Sequence, residues 1–196
     1  DGSASDRFGS AVAIDGNRAI IGAPFDGYGS AYVFNPTSGQ ELFKLTASNS
    51  LANICGGAVD ISGNTAIIGA RGTFVSGLGI NSGAAYLFNV GTGQQLFELN
   101  PTDQAAGDQF GHGVAIGGNF AVVGSRFDDD AGSSSGSAYV FNVSTGQQLF
   151  KLTASDAAAG DAFGGSVAIS GNIAIIGAED RDDFGSSSGA AYLFDL

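Results

Sequence analysis

The chain has 196 residues, and its 7 lysines and arginines against 19 aspartates and glutamates give a formal net charge of −12. A nucleic-acid-binding protein needs a basic face, which so few cations do not supply, so we expect no nucleic-acid partner. No apolar run approaches the roughly 18 residues of a membrane-spanning helix, so we also expect no membrane insertion. Hydrophobic residues make up 43% of the chain, which is enough to bury a core.

Four units repeat along the chain. Each unit carries Phe-Gly (Cys-Gly in the second), then Gly-Asn, then an apolar run that ends in Gly-Ala or Gly-Ser, and finally Ala-Tyr-x-Phe. The tyrosines of the last motif are 54, 53 and 53 residues apart, at Tyr32, Tyr86, Tyr139 and Tyr192. A nearly fixed period of this length is typical of an array of repeated structural units.

Each unit has the pattern of a series of short β-strands. In the first unit four strands, called A to D in chain order, are predicted at 11–14, 18–22, 31–35 and 40–45. Asp15-Gly16-Asn17 predicts the tight turn between A and B, because Gly and Asn tolerate positive φ. The later units repeat the pattern, but the fourth stops at Leu196 before its strand D, which leaves fifteen predicted strands.

Both faces of these strands are apolar. In Ala85-Tyr86-Leu87-Phe88, neighbouring side chains point to opposite faces of the sheet, and all four are hydrophobic. A sheet with one face in water would alternate, whereas a sheet buried on both faces, as where blades stack around an axis, would not. We therefore predict an all-β fold, a β-propeller of four-stranded antiparallel blades built from four repeats of about 53 residues.

The four repeats are expected to form one array over residues 1–196. The blades are predicted at about 6–48, 53–101, 108–155 and 161–196, and the last of them lacks strand D.

The repeats resemble the FG-GAP family. These repeats are named for Phe-Gly and a later Gly-Ala-Pro, present here as Phe8-Gly9 and Gly22-Ala23-Pro24. They are most similar to the bacterial variant, in which Gly-Asn joins strands A and B and Ser-Gly-Ala-Ala-Tyr-x-Phe forms strand C. The resemblance implies propeller blades, of which the integrin α-subunit head has seven, and adhesion or scaffolding outside the cell or at its surface.

The chain departs from the family in two places. Some members carry calcium on an Asp-x-Asp-x-Asp-Gly segment between strands A and B, where this chain has only a short turn such as Ser62-Gly63-Asn64. The number of repeats is four and not seven. Three arrangements are therefore open: a fragment of a longer propeller, a compact four-bladed ring, or a protomer completed by a neighbour.

The fourth unit leaves its strand C, at 190–196, as an exposed sheet edge. An unpaired edge presents free backbone groups that can pair with another chain. This strand therefore predicts a homo-oligomer or a filament.

The loops between strands B and C of the third and fourth units are acidic. Clustered carboxylates on a Gly-turned loop with Ser hydroxyls offer the hard oxygen ligands that Ca²⁺ needs. A calcium site is one interpretation, and a solvated acidic loop is the other. The candidate ligands are Asp128, Asp129, Asp130, Asp180, Asp182 and Asp183.

Other loop residues are candidates for contact with a partner or for modification. Aromatic residues that do not recur at equivalent places lie in the B–C loops, where exposure would suit them to partner binding. They are Phe25, Tyr28, Phe74, Phe127 and Phe184. Asn142 begins the one N-glycosylation sequon that is not blocked by proline.

Several polar residues are interpreted as structural. Asp6, Asp108 and Asp161 each precede a Phe-Gly pair by two residues, and we expect them to bind backbone amides and fix the start of strand A. His112 is the only histidine and has no counterpart in the other units. Cys55 replaces the phenylalanine of Phe-Gly, so it is predicted to be buried.

No catalytic residues are predicted. Gly-x-Ser-x-Gly occurs at 132–136 and 185–189, but a nucleophile elbow needs a helix after it, and here a strand follows. We interpret the chain as a non-catalytic adhesion or scaffold protein, outside the cell or at its surface, that binds a protein or glycan. Self-assembly into a surface or filamentous structure would extend that role.

Two alternatives remain open. One is a multivalent, lectin-like glycan-binding propeller, although the second unit has no carboxylate in its B–C loop and so breaks the equivalence of a repeated site. The other is a propeller appendage of a larger secreted enzyme.

Overall fold

The computed structural model describes residues 2–49, 53–183 and 185–196, and these residues form β-strands and no helix. In this part of the chain there is accordingly no helix that is long and apolar enough to cross a membrane. In chain order the strands are β1 Val12–Asp15, β2 Arg18–Ala23, β3 Ser30–Phe34, β4 Glu41–Leu45, β5 Cys55–Ser62, β6 Thr65–Ala70, β7 Ala85–Asn89, β8 Gln95–Leu99, β9 Val114–Gly117, β10 Phe120–Ser125, β11 Ser137–Asn142, β12 Gln148–Leu152, β13 Phe163–Ser170, β14 Ile173–Ala178 and β15 Ala190–Asp195.

The strands form four separate antiparallel sheets, which we call blades 1 to 4. Blades 1, 2 and 3 have four strands each, and the described residues of blade 4 provide three, β13, β14 and β15. Within each blade the strands are paired in chain order, so each blade is a meander joined by local turns. The all-β fold of four-stranded antiparallel blades predicted from the repeats is confirmed.

The predicted strand limits differ from the observed ones by about one residue. The structure also shows a bulge between the third and fourth strands, which the sequence did not predict. In blade 1, Val33 pairs with Phe43 but the next residue, Phe34, pairs with Glu41, so Leu42 is an extra residue in β4. Blades 2 and 3 have the same shift between their third and fourth strands. The extra residue bends the outer strand.

Blades 2 and 3 each pack one face on the blade before and the other on the blade after. We call these the front face and the back face. In β7, Tyr86 and Phe88 of the front face join the core shared with blade 1, while Ala85 and Leu87 of the back face join the core shared with blade 3. All four side chains are buried, which explains why the strand sequence is apolar at every position.

Adjacent blades touch through their backbones at glycine. Gly29, Gly83 and Gly136, which precede the third strands, each form a β-bridge to the first residue of the next blade's Phe-Gly or Cys-Gly pair. Gly83 has φ +88°, and a Cβ at this position would lie 2.0 Å from the carbonyl oxygen of Phe110. Only glycine fits such an approach.

The first and last blades each leave one face uncovered. On the front face of blade 1, Val12 and Ile14 are 68% and 66% exposed, and on the back face of blade 4 Leu193 is 72% exposed. Sheet packing joins blade 1 to 2, 2 to 3 and 3 to 4. Within the described residues the blades thus form an open array, so the compact four-bladed ring is not the arrangement of this structure.

Gly83→Ala is expected to destabilise the protein by about 3 kcal/mol or more, because the methyl group would collide with the Phe110 backbone and strain the positive φ. The matched control is Gly107→Ala, since Gly107 has φ +93° and no atom within 4 Å of its Cβ position. That variant is expected to lose only about 1–2 kcal/mol of strain. Urea unfolding compares the two with the wild type, and equal losses would contradict the close approach.

Candidate functional site

The B–C loops, which join the second and third strands of the blades, cover residues 24–29, 71–84, 126–136 and 179–189. The first three loops contain, at or next to their last residue, the glycines that bridge to the following blade, so these loops lie along one edge of the array. They contain nearly all of the candidate binding residues.

In blade 1 an ion pair and a tyrosine fix the B–C loop. The Lys44 ammonium lies 2.7 Å from Oδ2 of Asp26, and the Tyr32 hydroxyl donates to the same oxygen at 2.5 Å. Burial alone would raise the pKa of Asp26, but the hydrogen bonds from Lys44 and Tyr32 outweigh burial and hold this pKa below its usual value. The loop is therefore tied to β3 and β4 of its own blade.

Blade 3 repeats this arrangement with more carboxylates. Asp128 is 2% exposed, and its Oδ2 accepts a hydrogen bond from the Tyr139 hydroxyl at 2.7 Å and lies 3.1 Å from the Lys151 ammonium. Lys151 also pairs with Asp103 at 2.7 Å and with Asp130. Burial alone would lower the pKa of Lys151, but its carboxylate partners raise it, so the ammonium stays charged.

In blade 4 an arginine of the loop itself takes the place of the lysine. The Arg181 guanidinium donates to Asp183 at 2.6 Å, to Asp156 at 2.8 Å and to Asp161 at 3.2 Å. The Tyr192 hydroxyl donates to Asp156 at 2.8 Å. The pairing of tyrosine, aspartate and cation is thus kept, although the cation comes from a different element.

The six aspartates considered as calcium ligands all have protein partners. Three belong to the ion pairs of Lys151 and Arg181 just described. Asp180 pairs with Arg126 at 3.1 Å, and Asp129 and Asp182 each accept a hydrogen bond from the amide of the serine five residues later. In the part of the chain that the structure describes, no group of three or more His, Cys, Asp or Glu side chains is arranged to hold a metal ion. Calcium binding stays a prediction.

The aspartate two residues before each Phe-Gly pair fixes the start of its blade, as predicted. Oδ2 of Asp6, Asp108 and Asp161 accepts a hydrogen bond from the amide three residues earlier, at 2.5, 2.6 and 2.9 Å. Burial raises the pKa of Asp108 to about 6, and the negative charges of Asp128 and Asp129 add to this effect.

The loop aromatics differ in exposure. Tyr28 is 68% exposed, Phe25 43% and Phe74 38%, whereas Phe127 is half-buried. Phe184 lies outside the described residues. The role of these side chains in partner binding stays a prediction.

Two exposed aliphatic residues of the blade 2 loop were missed by the sequence reasoning. Leu78 and Ile80 are 40% and 70% exposed. The signal for them was the loop itself, which is the longest of the four and has no carboxylate.

The cations that neutralise the acidic loops were also missed. Strand D has the sequence Leu-Phe-Lys-Leu in units 1 and 3, whose B–C loops carry aspartate, and Leu-Phe-Glu-Leu in unit 2, whose loop carries none. This correlation between two distant segments is the signal that could have identified Lys44 and Lys151.

The remaining candidates serve local structure. Oδ1 of Asn142 accepts a hydrogen bond from the amide of Ser144 at 2.9 Å, and its glycosylation stays a prediction. Nδ1 of His112 lies 3.3 Å from the carbonyl oxygen of Gly165 in blade 4. Cys55 is fully buried, as predicted, and burial raises the pKa of its thiol to about 12.

Comparisons with known proteins identify the repeats through a family model and the fold through a solved structure. A family model described as FG-GAP repeat matches residues 1–34, 40–88, 94–141 and 147–194. No curated protein sequence matches the chain. The fold is similar to that in the crystal structure of the computationally designed Ika8 protein, with a TM-score of 0.59 and 19% identity. The match covers 95% of this chain and 45% of that one, so this chain spans less than half the length of the designed protein.

Lys151→Met is expected to destabilise the protein by about 2–3 kcal/mol, because it leaves the buried Asp128 carboxylate without its cation. Lys44→Met is the matched control, since both partners there are more exposed, 35% and 17% against 20% and 3%. It is expected to cost about 1 kcal/mol or less. Urea unfolding at neutral pH measures both, and a loss for Lys151→Met no larger than that for Lys44→Met would contradict the dependence of Asp128 on its cation.

Asp108→Asn is expected to change how stability depends on pH. The pKa of Asp108 is raised from the 3.8 of an ordinary aspartate to about 6 in the folded protein, so the native state binds this proton more tightly. The contribution of Asp108 to the stability of the wild type should therefore fall as the pH rises from about 4 to 6. The variant cannot ionise, so it should be more stable than the wild type at about pH 8 and lose that advantage by about pH 4. A pH-independent difference in the urea midpoints would contradict the raised pKa.

Proposed function

Because the chain belongs to the FG-GAP repeat family, whose repeats are commonly adhesion or scaffold-like propeller domains, we propose that it is a non-catalytic adhesion or scaffold module. Its place would be outside the cell or at the cell surface. The observation that carries the proposal is a set of exposed apolar side chains on two adjacent, internally braced B–C loops. These apolar loop residues are Phe25, Tyr28, Phe74, Leu78 and Ile80.

The chemistry of the loop edge differs between its two halves. The loops of blades 1 and 2 present the apolar loop residues, whereas the loops of blades 3 and 4 present aspartates paired with their own cations. Exposed aromatic and aliphatic side chains on a rigid frame are typical of surfaces that bind another protein. The apolar half is therefore the side on which we place the partner.

Internal hydrogen bonds brace the two apolar loops. Asp26 ties the first loop to Lys44 and Tyr32. In the second loop Thr73 Oγ1 donates to the Ala70 carbonyl at 2.6 Å, and Ser82 Oγ donates to the Thr73 carbonyl at 3.3 Å. Since Thr73 and Ser82 are fully buried, these loops lose little conformational entropy when they bind.

A protein partner suits this surface better than a glycan. A repeated glycan site would need equivalent aromatic and acidic groups in each blade, but the blade 2 loop has no carboxylate. In blades 3 and 4, Lys151 and Arg181 occupy the carboxylates of Asp128, Asp130 and Asp183. The extracellular location and the partner class are parts of the proposal.

The absence of catalysis is also part of the proposal. It is supported by the surroundings of His112, whose Nδ1 faces a backbone carbonyl, and by the strands that follow the two Ser-rich loops. Hydrolase or lyase turnover by the purified protein would contradict it.

A surface coated with the purified protein is expected to retain cells or matrix proteins of its source organism. Replacing Tyr28 and Ile80 together by serine should reduce this binding about tenfold, since anchors of this type dominate interface energies. The control is Leu96→Ser, because Leu96 is 41% exposed in β8 and lies outside the loops. Unchanged binding by the loop variant would contradict the proposal. Loss of binding after glycosidase treatment of the cells, with protease without effect, would favour the glycan alternative.

A further inference from the structure

We infer that copies of this chain dock head to tail, with the front face of blade 1 of one copy on the back face of blade 4 of another. The inference does not depend on the adhesion role. It uses the blade faces, whereas the sequence suggested association through the edge strand β15.

The front face of blade 1 is built like a covered front face. Phe8 packs edge-to-face on Tyr32 with 5.5 Å between ring centroids, and Phe110 packs on Tyr139 in the same way at 5.6 Å. Yet Phe8 is 51% exposed and Phe110 is 0% exposed. The difference is the preceding blade, which covers Phe110 and has no equivalent over Phe8 within the described residues.

The first strands of the blades show the same contrast. Val12 and Ile14 of β1 correspond to Val114 and Ile116 of β9 by their pairing with the neighbouring strand. Exposure is 68% and 66% in β1, but 8% and 5% in β9. Nearly identical sequences thus lie in water in one blade and in a core in the other.

At the other end of the array, the back face of blade 4 is uncovered. Ile175 pairs with Leu193 there, as Val122 pairs with Val140 in blade 3. The blade 3 residues are fully buried under blade 4, whereas Ile175 and Leu193 are 42% and 72% exposed. Covering these side chains would remove a large apolar area from water.

The two uncovered faces are complementary, because the chain already joins the same pair of faces three times. Every internal junction places a back face on the front face of the next blade. A groove of about 280 Å³ beside Phe8 and Tyr32 lies on the front face of blade 1, and one of about 190 Å³ beside Ile175 and Gly177 lies on the back face of blade 4. A second copy of the chain is therefore the partner that these faces fit.

Backbone hydrogen bonds also define the internal junctions. The amide of Gln109 donates to the Asn81 carbonyl at 2.9 Å between blades 2 and 3. The amide of Ala162 donates to the Ser134 carbonyl at 3.1 Å between blades 3 and 4. The corresponding residues at the two ends of the array are Arg7 on blade 1 and Ser187 on blade 4, by their offsets from Phe-Gly and from the glycine before the third strand.

These end residues already have the conformation of a formed junction. Arg7 has φ +52° where Gln109 has +53°, and Ser187 has φ +50° where Asn81 has +55°. Positive φ is unfavourable for such side chains, and at the internal junctions the contact with the next blade accompanies it. The amide of Arg7 is thus preorganised to donate to the Ser187 carbonyl of a second copy.

Gly189 of blade 4 is the counterpart of the glycines that form β-bridges to the next blade at the internal junctions. At its counterpart Gly136, a Cβ would lie 2.0 Å from the Phe163 carbonyl oxygen of the next blade. At Gly189 the nearest atom to the Cβ position is the Glu179 carbonyl oxygen, 3.4 Å away. The space that Phe163 fills at the internal junction is open here, and Phe8 of a second copy would fill it.

Two copies are the expected number. Head-to-tail contacts either close a ring or continue as an open chain. Two copies joined at both pairs of end faces would make a ring of eight blades. The designed protein that shares this fold is about twice as long as this chain, since the match covers 95% of one and 45% of the other.

The test is the oligomeric state of the purified 196-residue chain, measured by light scattering after size exclusion and by native mass spectrometry. Twice the chain mass of 19.5 kDa is expected for the wild type. Val12→Asp and Leu193→Asp should each give monomers, because each places a charge in the contact between blade 1 of one copy and blade 4 of the other. Both residues are exposed in the single chain, so unchanged far-UV circular dichroism should show that the variants fold. Leu96→Asp is the control and should remain dimeric.

Mixing the two monomeric variants tests the head-to-tail geometry. The Val12→Asp protein keeps an intact back face on blade 4, and the Leu193→Asp protein keeps an intact front face on blade 1. An equimolar mixture should therefore recover a two-chain complex in which these two faces are joined. A head-to-head contact between two blade 1 faces would be broken by Val12→Asp but would survive Leu193→Asp. That result would overturn the inference. Association that survives Val12→Asp, as pairing through the β15 edge would, would also overturn the inference. So would a wild type that stays monomeric at about 100 µM, well above the Kd of an interface of about 1 µM affinity.

Discussion

The rest of the array depends on one contact between neighbouring blades. In this contact the Phe-Gly backbone of one blade lies close to glycines of the blade before it. A Cβ on Gly22, Gly69 or Gly124 would lie 2.0, 2.1 or 1.8 Å from the carbonyl oxygen of the next blade's glycine. With no side chain between the backbones, the sheets lie near enough for both faces of blades 2 and 3 to be buried. The glycines at the blade junctions and the apolar character of both strand faces therefore have one cause.

Charge is arranged around the same frame. The chain has only seven lysines and arginines, and four of them, Lys44, Arg126, Lys151 and Arg181, pair with carboxylates in or beside the B–C loops. These pairs tie the loops to the blades. The four cations face nine carboxylates, so the ion-pair networks themselves keep an excess of five negative charges. The net negative charge of the whole chain favours solubility.

The secondary structure and the fold class could be predicted because they depend on local signals. The Gly-Asn turns, the apolar strands and the repeat period are all properties of short segments. The extra residue at Leu42 was not predictable, since a bulge depends on the pairing with β3. The partner of Asp128 was not found because Lys151 is 23 residues away, in strand β12, while Asp128 lies in a loop.

Burial at the ends of the array could not be predicted for a different reason. Val12 and Val114 are each followed by Ala-Ile, yet one is 68% exposed and the other 8%. Their local sequences carry the same information, and only the presence of a neighbouring blade separates them. In a stack of repeats, burial is a property of position in the stack and not of the repeat itself.

Cys55 gives the contact between blades 1 and 2 a chemical property that the other junctions lack. It stands where the other units have phenylalanine, it is fully buried, and its thiol has a pKa of about 12. Such a thiol is protonated at neutral pH and screened from reagents, so it reacts only while the two blades are apart. The rate at which Cys55 is alkylated therefore reports how often the contact between blades 1 and 2 opens, and this measurement needs no introduced probe.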